Sequence, residues 1–295
     1  MLAAAIQMTS TSDVQHNLAR ARHWIARAAE AGARLVALPE NFACMREEGT
    51  TNPAAGPLDG PIVAFLQECA KQHGIVIAGG TIPERRAGEA RPHNTALAID
   101  ADGTLRGVYR KIHLFDIDLP DVRLRESDAV APGSEIVVVD SAVGKLGLSV
   151  CYDVRFPELY RALVAQGARI LLVPSAFTVP TGSDHWEVLL RARAIENQCF
   201  VVASAQYGQH SPRRRSYGRS LIVDPWGLVL ARASDGEGLA LADLDFERLE
   251  DVRRHLPALT HRRIESAARV TTPPPGVDTC AATPQVPAPP AHARG

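Results

Sequence analysis

Apolar residues recur along this chain with two periods, and the switches between them outline its elements. A strand is predicted at 2–8, a helix at 13–31, a strand at 34–38, a helix at 60–73 and a strand at 75–81. Alternation of this kind is an α/β pattern. A hairpin follows, with Asn94–Ile99 and Thr104–Tyr109 flanking the turn residues Asp102-Gly103. The second half replays the first. Glu30-Ala31-Gly32-Ala33-Arg34-Leu35-Val36-Ala37-Leu38-Pro39 matches Ala165-Gln166-Gly167-Ala168-Arg169-Ile170-Leu171-Leu172-Val173-Pro174, each a helix exit, a glycine turn and a buried strand stopped by proline. Gly74–Gly79 has a counterpart in Cys199–Ser204, and the first hairpin has one in 218–232 around Asp224-Pro225-Trp226-Gly227. Three matches in one order predict two related halves with unequal loops, forming two similar sheet-and-helix layers that face each other.

The pattern stops after Arg269. Residues 271–295 hold seven prolines, many alanines and almost no large apolar side chain, so a tail without fixed structure is expected there, Cys280 included. Residues 1–270 form the expected domain, and with 46% hydrophobic content over 295 residues the chain can bury a substantial core. A net charge of −1 argues against a nucleic-acid-binding field; the run Arg213-Arg214-Arg215 reads as a solvated loop. The five cysteines, Cys44, Cys69, Cys151, Cys199 and Cys280, show neither pairing nor metal-ligand spacing, which points to a reducing cytosol. No stretch has the length and apolarity of a membrane span, and the first residues lack the basic start of a secretory signal. No motif for a metal or an organic cofactor is visible.

Candidate chemistry centres on Cys151. Lys145–Val150 reads as a buried strand and Pro157-Glu158 as the first turn of a helix, so the thiol falls at a strand-to-helix corner. Backbone N–H groups and a helix dipole there would favour a thiolate and steady an oxyanion; a buried structural cysteine is the alternative reading. Glu40 follows the buried strand ending Leu38-Pro39 and suits a general base, or equally a cap. Only Lys71, Lys111 and Lys145 among 32 basic residues are lysines, and lysine, unlike arginine, can lose its proton when buried. Lys111 ends the first hairpin, and Glu126 follows it by 15 residues and precedes Cys151 by 25.

Leu38-Pro39-Glu40, Arg110-Lys111-Ile112-His113-Leu114, Glu126-Ser127 with Pro132-Gly133, and Cys151-Tyr152-Asp153-Val154-Arg155-Phe156-Pro157-Glu158 together resemble the carbon–nitrogen hydrolases of the nitrilase superfamily in order, spacing and flanks. The resemblance covers about residues 1–265. It implies an α/β fold, a four-layer αββα sandwich with pseudo-twofold halves. It further implies that Glu40, Lys111 and Cys151 form a catalytic triad, with Glu126 as a supporting carboxylate. The backbone N–H of Tyr152 would be a second oxyanion donor beside Lys111.

The segments His185–Glu196, Ser175-Ala176-Phe177, Tyr217–Ser220, Asp224-Pro225-Trp226-Gly227 and Arg253–Pro257 look most like the Nit branch, and within it the Nit1-type amidases of deaminated glutathione. That resemblance implies hydrolysis of a small acidic amide, giving 2-oxoglutarate and cysteinylglycine. ω-Amidase action on 2-oxoglutaramate and N-carbamoyl amino acid hydrolysis are the alternatives. Arg155 resembles a position that binds substrate carboxylate in related carbamoylases, with a salt bridge to Asp153 or Glu158 as its other reading; His185 is a further pocket candidate. The helix 185–196 is expected to pack through Trp186, Leu189, Leu190 and Ile195. Beyond substrate and water, the resemblance implies a homodimer or larger oligomer; the cysteine usage, net charge and hydropathy above give the cytoplasm as the expected compartment, with no nucleic acid or membrane partner.

Overall fold

The computed structural model describes residues 1–47, 50, 52–119 and 122–264. The expected tail, 271–295, lies outside the described residues, as does Cys280. The first half runs β1 (Leu2–Met8), α1 (Val14–Glu30), β2 (Leu35–Ala37), α2 (Pro61–His73), β3 (Val76–Glu84) and the hairpin β4 (His93–Ile99) and β5 (Leu105–Arg110). A ribbon, β6 (Asp116–Leu119) and β7 (Val122–Arg125), leads to a 3-10 turn at Glu126–Asp128. The second half holds β8 (Val138–Ser141), β9 (Gly144–Leu148), a 3-10 turn at Cys151–Arg155, α3 (Pro157–Ala165), β10 (Ile170–Leu172) and α4 (Val179–Asn197). It continues through β11 (Phe200–Ala203), β12 (Ala205–Ser211), β13 (Arg214–Tyr217), β14 (Leu221–Val223), β15 (Val229–Arg232), β16 (Gly238–Asp243) and α5 (Phe246–His255).

The replay read from the sequence is present in the topology. One sheet contains the path β1-β2-β3-β4-β5 and the other β9-β10-β11-β14-β15, with the first three strands parallel and the last two an antiparallel hairpin in each. Helices occupy the same crossovers, α1 and α2 in the first half and α3 and α4 in the second. The ribbon, β8, β12, β13 and β16 have no counterpart among the predicted elements. β12 and β16 both pair with β1, so the end of the chain completes the first sheet.

Strand alternation sorts the core into layers. On β1, Ala4, Ile6 and Met8 pack outward against Ala21, Ile25 and Ala28 of α1 and Leu66 of α2. Ala3 and Ala5, with Ala37, Ala78, Ala96 and Ala98, face the other sheet and share a cluster with Leu146, Leu148, Ile170 and Leu172. Small side chains on this face bring the sheets close. At Gly107 of β5 an added Cβ would stand 2.2 Å from Val139 of β8. Trp186 and Leu190 of α4 cover the second sheet, which completes the αββα stack. Ile195 departs from its expected packing role, being 50% exposed beside the Asp224–Gly227 turn.

Candidate active site

Glu40, Lys111 and Cys151 each follow the end of a strand, β2, β5 and β9, and the stacked sheets bring these ends to one cavity of about 1160 Å³. Glu40 is fixed from beneath. Gln206 donates from Nε2 to its carbonyl at 3.0 Å, and Asn41 donates from its backbone N–H to Thr81 Oγ1 at 2.8 Å. β3 passes under this corner through an irregularity at Gly79-Gly80, where Gly80 has φ +58° and an added Cβ would lie 2.2 Å from the Pro39 carbonyl. Gly80→Ala combines left-handed strain with a backbone clash one residue before Glu40. Its expected cost is about 1–3 kcal/mol, with reduced activity, measurable by denaturant unfolding and steady-state rates.

Lys111 is clamped between strands, its N–H donating to Asn94 O at 2.9 Å and its carbonyl accepting from Gly133 at 2.8 Å. The ammonium meets both carboxylates, Glu40 Oε1 at 3.1 Å and Glu126 at 2.8 and 3.1 Å, with only 1% of the residue exposed. Burial alone would push the amine toward neutrality, but the carboxylates of Glu126 and Glu40 outweigh it and hold its pKa well above the ordinary value. Lys111 is therefore a resident cation rather than the deprotonated amine its burial could have made it. Burial would likewise raise the Glu126 carboxyl; the charge and hydrogen bonds of Lys111, with the Phe115 N–H at 2.7 Å, bring it below the usual range.

Asn94 ties the two acids together, donating from Nδ2 to Glu40 Oε1 at 2.8 Å and to Glu126 Oε1 at 3.2 Å. Sequence reasoning missed it, because an asparagine opening a hairpin strand carries no local sign of two carboxylates arriving from elsewhere.

Cys151 sits at φ +48°, a left-handed position unusual for a side chain with a Cβ and suited to a sharp corner. Its N–H donates to Pro174 O at 2.9 Å. The thiol hydrogen-bonds the Glu40 carboxylate and receives the Ala176 N–H. The expected bias toward a thiolate is opposed by the surroundings of the sulfur. Burial and the adjacent Glu40 carboxylate push the thiol well above its usual pKa, and Lys111 and the Ala176 N–H offset this only in part. The local dipole reading fails because α3 begins only at Pro157, beyond a 3-10 turn, while a carboxylate from the first half lies against the sulfur. The arrangement suits a neutral thiol that loses its proton to Glu40 as it attacks.

Asp153 fixes the corner. Its carboxylate accepts from Tyr109 Oη at 2.7 Å, Val150 N at 2.8 Å and His113 N at 3.2 Å, and meets His113 Nδ1 at 2.7 Å. One buried side chain thus joins the segment carrying Lys111 to the one carrying Cys151.

Tyr152, Arg155 and His185 lie together beside the cavity rather than in its lining. Both terminal nitrogens of Arg155 are 3.3 Å from His185 Nδ1, and the guanidinium stands over the rings of Tyr152 and Phe177. Asp153 is engaged elsewhere, so the Asp153–Arg155 salt bridge does not form. The cations that do line the cavity include Arg125, Arg213, Arg214 and Arg215. Arg213 and Arg215 are exposed, as expected of a solvated run, but its last two residues begin strand β13 rather than lying in a loop, and its three arginines line the cavity.

Residues 2–254 match the family model described as carbon-nitrogen hydrolase. The deaminated glutathione amidase of Synechocystis sp. (strain PCC 6803 / GT-S) is 47% identical over 265 residues, covering 88% of this chain and 97% of that protein. The crystal structure of the Caenorhabditis elegans NitFhit protein superposes with a TM-score of 0.83 at 43% identity, covering 89% of this chain and 65% of that one. A Glu-to-Gln mutant of the amidase from Nesterenkonia sp. AN1, with acrylamide added to its active-site cysteine, gives a TM-score of 0.71 at 29% identity over 87% of this chain and 98% of that one. This chain belongs to the carbon–nitrogen hydrolase family, in the Nit1-type branch of the nitrilase superfamily.

Proposed function

We propose that the protein hydrolyses deaminated glutathione at its side-chain amide, with Cys151 as nucleophile, Glu40 as general base and acid, Lys111 as the oxyanion cation and Glu126 as the carboxylate that holds Lys111. The observation that carries this reading is the contact of one thiol, one carboxylate and one ammonium on the wall of a single cavity. Cys151 Sγ attacks the amide carbonyl carbon while its proton passes to Glu40. Charge developing on the carbonyl oxygen meets the Lys111 ammonium on the cavity wall, and the second donor of this proposal is the backbone N–H of Tyr152, adjacent to Cys151 in the chain although its residue is not in the lining. Cleavage of the C–N bond takes the proton from Glu40 onto the departing amine and leaves a thioester. Water then attacks the thioester as Glu40 accepts its proton, and that proton returns to sulfur as the acid leaves.

The amide-bearing substrate is supported by relatives named deaminated glutathione amidase at 42–47% identity. The test is a side-by-side kcat/KM comparison of deaminated glutathione with 2-oxoglutaramate. A preference for the first is expected; equal or reversed preference sinks this substrate while leaving the amidase class intact.

The same reading makes the protein a cytoplasmic homodimer with residues 1–270 as its catalytic unit. Cys44, Cys69, Cys151 and Cys199 are all free thiols, in keeping with a reducing compartment. Among the described residues no helix is long and apolar enough to cross a membrane. Val188 and Ile195 of α4 and Trp226 and Leu228 of the neighbouring turn are 67, 50, 55 and 60% exposed, and an apolar patch of this kind supports pairing with a second copy.

A further inference from the structure

We propose that Arg213, Arg214 and Arg215 hold a carboxylate on the amine side of the scissile bond, so that the cavity selects amides whose leaving group is an acidic peptide. This rests on the amidase reading above and adds to it the part of the site that recognises the leaving group.

All three guanidinium-bearing residues line the cavity that contains Cys151, and none has an ion-pair partner among the described residues. Three consecutive like charges that no described carboxylate pairs with repel one another, and an anion in the cavity relieves that repulsion with the bidentate geometry arginine offers. Their strand is fixed relative to the sulfur. Tyr217 donates its N–H to Phe177 O at 2.9 Å and Ser216 bridges Thr178, on the segment whose Ala176 N–H faces the thiol.

Position assigns the exposed pair to the leaving side. Arg213 and Arg215 are exposed and form the rim, Arg214 between them is half-buried, and Arg125, also half-buried, adjoins Glu126 on another wall of the cavity. In a 2-oxo acyl amide of cysteinylglycine, the acyl carboxylate sits fewer bonds from the scissile carbon than the peptide carboxylate does. The deeper arginine suits the nearer carboxylate and the rim suits the farther one. A cavity of about 1160 Å³ is also larger than a short ω-amide fills, and it accommodates a tripeptide-sized ligand.

The experiment compares wild type, the single variants Arg213→Ala, Arg214→Ala and Arg215→Ala, and the triple variant. Each is assayed on deaminated glutathione, its C-terminal carboxamide and 2-oxoglutaramate. Wild type is expected to prefer the free acid over the carboxamide by at least about tenfold. In the triple variant that preference collapses, and the kcat/KM ratio of deaminated glutathione to 2-oxoglutaramate falls by a similar factor, mainly through KM. An unchanged ratio, or an equal loss on all three substrates, overturns the inference. Wild type that turns over 2-oxoglutaramate but not deaminated glutathione removes the proposed function and this inference together. Turnover of both with an unaltered ratio in the variants removes the inference alone.

Discussion

Cys151→Ala is expected to lower amide hydrolysis by at least about 10⁴-fold while the protein still folds. Among the described residues no other thiol lines the cavity, Cys44, Cys69 and Cys199 being buried elsewhere, so loss of Sγ removes the one sulfur nucleophile they place there. The structural cost is small. The side chain loses one atom, the strained φ of +48° is borne equally by alanine, and Asp153 continues to hold the corner through Val150. About 1 kcal/mol of destabilisation is the expected scale. Removing the thiol also relieves its contact with Glu40. Two measurements check this: the steady-state rate, and a mass spectrum of wild type quenched during turnover, in which the acyl adduct should map to Cys151. Undiminished hydrolysis by the alanine variant would falsify the nucleophile assignment.

Lys111→Met carries the second large effect, because it strikes both the reaction and the fold. Methionine nearly fills the space but leaves the Glu40 and Glu126 carboxylates facing each other in a buried site with Asn94 alone between them. Leaving buried charge uncompensated costs about 3–5 kcal/mol, and losing a preorganised oxyanion partner costs about 10²–10³ in kcat. The pH dependence of stability should change sign. In wild type the folded Glu126 pKa is depressed, so its stabilisation is present above the unfolded carboxyl value and is lost as pH falls through the folded one. Without Lys111, crowding raises the carboxyl pKa in the folded state. The variant then gains stability as pH falls and loses it as pH rises through that raised value. Denaturant midpoints between pH 4 and 8 would show the two slopes diverging. A variant that kept the wild-type slope would mean that Lys111 does not balance these acids.

Much of this site was legible because its residues sit where the chain punctuates itself. Glu40 follows a strand stopped by Pro39, Lys111 ends a hairpin whose turn is Asp102-Gly103, and Cys151 lies between a buried strand and Pro157. Order and flanks then joined them. What stayed illegible depends on through-space encounters. The raised pKa of Cys151 comes first from burial and then from a carboxylate more than a hundred positions away, neither of which a local dipole argument contains. Asn94 acquires its role only where two acids converge on it. Arg213–Arg215 reads as a solvated run, and Arg213 and Arg215 are indeed exposed; what the sequence lacks is that the pairing of β12 with β13 sets the run at the mouth of the cavity. Arg155 had the converse fate: its motif position drew attention, and its guanidinium was taken up by His185 and two rings.

The duplicated topology places the working parts on opposite sides of a seam. Glu40, Asn94 and Lys111 come from the first sheet, and Cys151 and Ala176 from the second, so the proposed catalytic group exists only where the two repeats touch. Either repeat alone would be half an instrument, with acid and base but no sulfur, or sulfur with nothing to take its proton. Small residues along that seam, the alanines of the inner faces and Gly107 against Val139, thereby set the reach between proton donor and acceptor. A single bulky side chain wedged there, far from any substrate, would separate the thiol from its base as surely as removing either one.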